Sequence, residues 1–331
     1  MRRALLLVAA AALLGLAALA ASAYRALQPP ARSGASVVVE IPRGAALGAV
    51  AALLEDAGAI RSARAFRWLA RLTGRASALR AGEYELAPEL GAAEVLERLA
   101  SGAVMTHRVV LPEGLRVEEV AARIEAAGLG TAADFIGVAR DPANVAAFGV
   151  EGASLEGYLF PETYELAKGI PPSEIARLMV DHFLSVWGPL APQAKERNLS
   201  MHEVVVLASL IEKETGAPEE RPLIAAVFLN RLARGMRLET DPAVIYGIAD
   251  FDGNLRRVHL EDAGNPYNTY LHAGLPPGPI ANPGAAALRA VVEPAEADYL
   301  YFVARKDGTH QFSRTYGEHV RAVNRFQRNG R

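Results

Sequence analysis

The sequence predicts an α+β protein behind one N-terminal membrane-crossing helix, and three observations carry that prediction. Residues 4–23 (ALLLVAAAALLGLAALAASA) contain no charged side chain, and about 20 such residues suffice to span a bilayer as a helix. Short segments of strand character at 37–41, 82–86 and 107–111 alternate with stretches of helical periodicity. From Met201 to about Thr215, apolar side chains point in nearly every direction around a helical wheel, which marks a helix buried in protein rather than laid on a surface.

The N-terminus sets the compartment. Arg2 and Arg3 precede the apolar run, so the N-terminus is expected in the cytoplasm and the body outside it. This predicts a single-pass protein of the cytoplasmic (inner) membrane, held through residues 4–23. The rival is a cleaved signal peptide, because Ala21-Ser22-Ala23 fits a small-residue cleavage site. The apolar run exceeds a usual signal-peptide core, which favours the anchor. The expected division is therefore 1–26 as cytoplasmic start and anchor, then LQPPARSGA (27–35) as a Pro/Gly/Ser linker. A small α/β module over 36–105 and a mixed α/β domain over 106–331 follow.

Composition narrows the chemistry. The 331 residues allow about two domains. A formal net charge of −2 lacks the basic footprint of nucleic-acid binding. Without cysteine there are no disulfides, zinc thiolates or cysteine nucleophiles. The histidines are scattered, none three or four residues from another, so a helical metal site has no support. No P-loop, dinucleotide turn or nucleophile elbow occurs. No metal or organic cofactor is expected.

In the first module, strand patterns at 37–41 and 82–86 bracket helices at 45–57 and 61–72, and a further helix covers 92–99. Beyond it come a strand at 107–111, a helix at 117–127, mixed helical texture at 135–148 and a long helix at 173–187. LEGYLFPETY (155–164) mixes aromatics, Gly, Pro and two carboxylates in a way neither core nor loop requires.

The buried helix ends in Glu212-Lys213-Glu214. Ser200 and Glu203 form a capping box at its start, and Gly216 is the expected stop. Glu212 and Glu214 lie about 200° apart on the wheel. Glu212 falls among Val205, Ala208 and Ser209, where desolvation would raise its pKa and suit it to general-acid work. Glu214 falls beside Glu203, on a side expected to be wetter. If the helix is rotated from this estimate, Glu214 takes the role. The ordinary alternative is that both carboxylates are solvated or paired with Arg231 or Arg237. A second helix is expected over 217–233, with Glu219 and Glu220 at its start and Asn230 near its end. LETDPAVIYG (238–247), NPYNTY (265–270) and GLPPGPIANPG (274–284) then gather amides, hydroxyls and flat aromatic faces on stiff loops. That combination suits a carbohydrate.

Taken together, LEGYLFPETY, ASLIEKET, RLARGMRLETDPAVIYG, NPYNTY, GLPPGPIANPG and YLYFVARKDGTHQFSRTYGEH resemble the membrane-anchored endolytic murein transglycosylases (YceG-like), in order and over nearly the whole chain. The resemblance implies cleavage of the MurNAc–GlcNAc β-1,4 bond in nascent peptidoglycan strands without water, leaving 1,6-anhydro-MurNAc ends beside the peptidoglycan synthases. It implies a LysM-like module at 36–105 and a catalytic domain at 106–331 with a buried catalytic helix. It places the catalytic Glu in ASLIEKET, carried here to Glu212. Asn230, Thr240, Asp241, Tyr246, Tyr267, Asn268, Tyr270 and Glu214 are the expected substrate contacts. Asn265 and Ala243 depart from the family pattern, where Ser and Thr are expected. A glycan hydrolase with Asp241 or Glu156 as second carboxylate, and a tethered non-catalytic peptidoglycan-binding scaffold, are the competing functions.

Overall fold

The computed structural model describes residues 2–30 and 34–328. It is a mixed α+β structure in two compact units, Met1–His107 with Glu165–Ile170, and Arg108–Tyr164 with Pro171–Arg331.

The first unit begins with α1 (Arg2–Leu27). Its segment Leu6–Leu27, of mean hydropathy 2.3, is long and apolar enough to cross a membrane. Then come β1 (Val37–Ile41), α2 (Leu47–Asp56), α3 (Ala63–Leu72), β2 (Gly82–Leu86) and α4 (Ala92–Ser101). β1 and β2 pair antiparallel, with Val39 opposite Tyr84. Val39, Leu54, Phe66, Tyr84 and Leu96 are buried together as a separate core. Gly102 ends α4 in the left-handed region, φ 73°, as its position after the helical pattern predicts.

The chain continues through β3 (Thr106–Leu111), α5 (Val117–Ala126), α6 (Ala132–Ala139) and α7 (Pro142–Ala147) to β4 (Glu162–Ala167), which pairs with β3. α8 (Pro172–Glu196) runs past the predicted end at 187, carrying Pro189 and Pro192 within it. α9 (Met201–Glu214) and α10 (Arg221–Ala233) follow, then the short α11 (Asp241–Tyr246) and α12 (Arg257–Leu260). α13 (Ala285–Val292), the hairpin β5 (Tyr301–Ala304) and β6 (His310–Ser313), and α14 (Tyr316–Val323) complete the second unit.

α9 lies at the centre of this unit, packed by α8, α10, α11 and α13. Its eight consecutive residues Val204 to Ile211 are all buried, as a helix with no polar face requires. Gly157 makes one close approach possible. It sits at φ +88°, and a Cβ there would stand 2.6 Å from Pro279 and from Val205 of α9. Gly157→Ala therefore combines overpacking with left-handed strain, and urea unfolding is expected to show a loss of about 2–4 kcal/mol. A loss below about 0.5 kcal/mol would mean the backbone gives way freely there.

Candidate active site

The start of α9 matches its sequence signature. Ser200 Oγ accepts from the Glu203 amide at 3.2 Å, and Glu203 returns a carboxylate oxygen to the Ser200 amide at 2.8 Å. Its end differs from expectation. Thr215, not Gly216, breaks the helix by turning extended, φ −140° and ψ 138°. The Thr215 hydroxyl then accepts from the Ala217 amide (2.9 Å) and donates to Glu220 (3.2 Å). The second helix starts at Arg221 rather than 217, after a separate 3₁₀ turn at Pro218–Glu220. Glu220 is buried instead of capping a helix in solvent.

Both carboxylates lie in the last turn of α9, and their surroundings differ. Glu212 is engaged in structure: Oε1 accepts from Arg221 Nη2 at 2.9 Å, and Oε2 from the Gly284 amide at 3.0 Å. The Glu212 and Arg221 side chains are only 6% and 9% exposed. Both Glu212 oxygens are therefore occupied by protein donors, one of them a guanidinium. The apolar neighbours on the wheel concealed Arg221, which arrives from α10. Glu214, placed on the wetter side by the wheel, is the carboxyl whose pKa is raised. Burial pushes its carboxyl up to about 7; the Thr240 hydroxyl pulls it down, Asp241 pushes it up and His310 pulls it down.

Glu214 opens into a cavity of about 410 Å³, lined also by Arg231, Asp241, Tyr270, Tyr301 and His310. The Tyr270 hydroxyl donates to Asp241 Oδ1 at 2.7 Å. His310 is tied to Glu220 twice, through ring Nδ1 and the backbone amide, both at 2.6 Å. Burial would raise the Glu220 carboxyl, but these His310 hydrogen bonds outweigh it and hold Glu220 below the usual range. Arg231 pairs with Glu239 and donates to the Leu238 carbonyl at 3.1 Å. Arg231 Nε is buried with no hydrogen-bond partner among the described residues. The site thus offers one carboxyl that titrates near neutrality, a second carboxylate, and several fixed donors.

The other expected contacts divide. Thr240, Asp241, Tyr270 and Glu214 come together. Asn230 does not join them: its amide donates to the Ala297 and Tyr299 carbonyls at 2.8 and 3.0 Å, tying α10 to the chain entering β5. Asn268 is fully buried, and its amide donates to the carbonyls of His259, Leu260 and Asp262. Both amides are consumed by backbone and are not free for a ligand. Tyr246 and Tyr267 pack ring to ring at 4.8 Å, and the Tyr246 hydroxyl donates to Glu156 at 3.2 Å. Glu156 is 3% exposed and pushed up to about 8 by burial, too enclosed to activate water. Asn265 holds the Val244 carbonyl and the Tyr267 amide, a structural duty. Sequence reasoning missed Arg231, His310 and Tyr301 as cavity walls. His310 and Tyr301 lie in the quoted C-terminal segment, but only the β5–β6 hairpin brings them to Glu214.

A buried helix delivers an ionisable carboxyl into a polar cavity, an arrangement suited to proton transfer. A family profile described as YceG-like matches residues 39–325. The chain is 32% identical over 310 residues to the endolytic murein transglycosylase of Bacillus subtilis (strain 168), covering 89% of this chain and 86% of that one. It is 29% identical over 330 residues to the endolytic murein transglycosylase of Streptococcus pneumoniae serotype 2, covering 88% of this chain but 59% of that longer relative. A crystal structure of a putative yceG-like protein from Listeria monocytogenes is similar at 33% identity and TM-score 0.60, covering 87% of this chain and 99% of that one. The chain belongs to the YceG-like family.

Proposed function

We propose that this protein is an endolytic lytic transglycosylase of peptidoglycan and that Glu214, rather than Glu212, is its acid. The observation that carries the residue assignment is the Glu214 carboxyl, raised to about 7 and facing a cavity. The reaction class follows the relatives of the same family. The substrate bond is the MurNAc–GlcNAc β-1,4 linkage of nascent strands.

The step needs one carboxyl. Protonated Glu214 gives its proton to the glycosidic oxygen as the C1–O bond breaks. The carboxylate left behind takes the proton of the muramoyl C6 hydroxyl while O6 bonds to C1. The acid is regenerated, a 1,6-anhydro end forms and no water enters. The nucleophile belongs to the same sugar, so it acts at high effective concentration. Tyr270, whose hydroxyl donates to Asp241, lines the same cavity and would hold the sugar beside Glu214.

Asp241 in the same cavity gives the hydrolase its one structural argument, since hydrolysis uses a second carboxylate to activate water. Product mass decides. Uncrosslinked strands treated with the full chain in detergent are expected to yield anhydro-muramoyl ends; reducing ends would establish hydrolysis instead. Intact strands that still bind would point to a scaffold.

The pH dependence follows from the direction of the shift. A carboxyl titrating near 7 is protonated below that value. Single-turnover cleavage should be flat below pH about 6 and fall tenfold per pH unit well above 7. A profile flat to pH 9 would exclude Glu214 as the donor.

In this reading, residues 1–26 are the cytoplasmic start and anchor, 27–35 the linker, 36–105 a LysM-like glycan-binding module and 106–331 the catalytic domain. The β1–α2–α3–β2 order of the first unit supports the LysM reading. The body lies outside the cytoplasmic membrane, where it would terminate strands beside the peptidoglycan synthases.

A further inference from the structure

A second cavity, of about 770 Å³, lies within the same unit. Two elements contribute to both this cavity and the acid's cavity. Lys213 lines it where Glu214, the next residue, lines the first. α11 contributes Asp241 from its first position to the acid's cavity and Tyr246 from its last to the second. Five helical steps separate those two residues, about 7–8 Å along the axis.

The cations of this cavity are not all neutralised. Arg140 pairs with Glu118. Arg116 has no carboxylate partner among the described residues; its guanidinium lies 4.8 Å from the centre of the Tyr246 ring. Lys213 also lacks one, and its ammonium donates to the Gly114 carbonyl at 3.1 Å. Asp250 also lines this cavity, likewise without an ion-pair partner among the described residues. Glu119 is occupied in accepting from the Arg116 amide at 2.8 Å.

We infer that this second cavity binds the carboxylate-bearing stem peptide carried by a muramoyl residue, with Arg116 and Lys213 as the carboxylate-binding pair. The inference rests on the transglycosylase reading and adds a peptide subsite to it. Arg and Lys are the side chains that hold carboxylates, and Tyr246 offers a flat wall to the peptide. The charge pattern favours a peptide over a lipid-linked diphosphate. A dense polyanion would meet Asp250, Glu118 and Glu119 at close range. A peptide with carboxylates and an amine fits both signs.

The test uses the full chain carrying Glu214→Gln, so that strands are not consumed, and reads affinity by calorimetry. The probes are uncrosslinked glycan strands with stem peptides and the same strands stripped of peptide by an amidase. Peptide-bearing strands should bind about tenfold more tightly, and Lys213→Met or Arg116→Met should each bring that ratio to about threefold or less. Millimolar inorganic pyrophosphate should not displace the peptide-bearing strands. Equal affinity for the two strands, or a ratio preserved in both variants with unchanged melting temperature, overturns the inference. Displacement by pyrophosphate overturns it in favour of a lipid diphosphate. Failure to bind either strand sinks the transglycosylase reading itself, and the subsite with it.

Discussion

Glu214→Gln is expected to lower the rate at which anhydro-muramoyl ends appear by about 10³-fold or more, without unfolding the protein. The glutamine preserves shape and removes the transferable proton. Glu212→Gln should continue to cleave, because its carboxylate is spent on Arg221 and the Gly284 amide. The measurement is product mass against time for both variants beside the wild type, with a melting curve for each. An active Glu214→Gln protein together with a folded but inactive Glu212→Gln protein would return the acid role to Glu212.

Arg221→Met should act on stability where Glu214→Gln acts on rate. It strands the Glu212 carboxylate among α9, α10 and the Gly284 turn, with a side chain only 6% exposed. Losing one partner of a buried pair costs about 3–5 kcal/mol, whereas replacing both with apolar groups of similar size is often near neutral. Glu113 lies 3.9 Å from the same guanidinium but is half exposed, so water recovers much of its loss. Chemical unfolding should therefore place Arg221→Met well below the wild type and the Arg221→Met, Glu212→Met double variant between them. A single-variant loss under about 1 kcal/mol would show that the pair is solvated in solution.

These two residues also mark how far the sequence could be read. Helical periodicity and capping located α9 and its first turn correctly, because those signals are local. The α+β class and the apolar N-terminal helix followed from equally local patterns. The three ribbons were only partly visible: β5 and β6 have four residues each, too few alternations to stand out. The candidate site was legible as a set of segments but not as an arrangement. A helical wheel ranks neighbours on the same helix, and Arg221 comes from another. Asn230 and Asn268 looked like ligand-binding amides because sequence cannot show that backbone carbonyls already use them. His310 had no distinguishing neighbour in sequence and reaches the cavity only through the hairpin and Glu220.

The proton donor and the walls around it have different origins. Glu214 closes a helix whose preceding turns, Val204 to Ile211, have no solvent face, so few substitutions there could be absorbed. The second cavity draws Ile248, Ala249 and Asp250 from the irregular chain beyond α11, where replacement disturbs little packing. Selection can therefore revise which polymer the protein accepts, by drift in its surface segments, while inheriting the cutting chemistry unchanged.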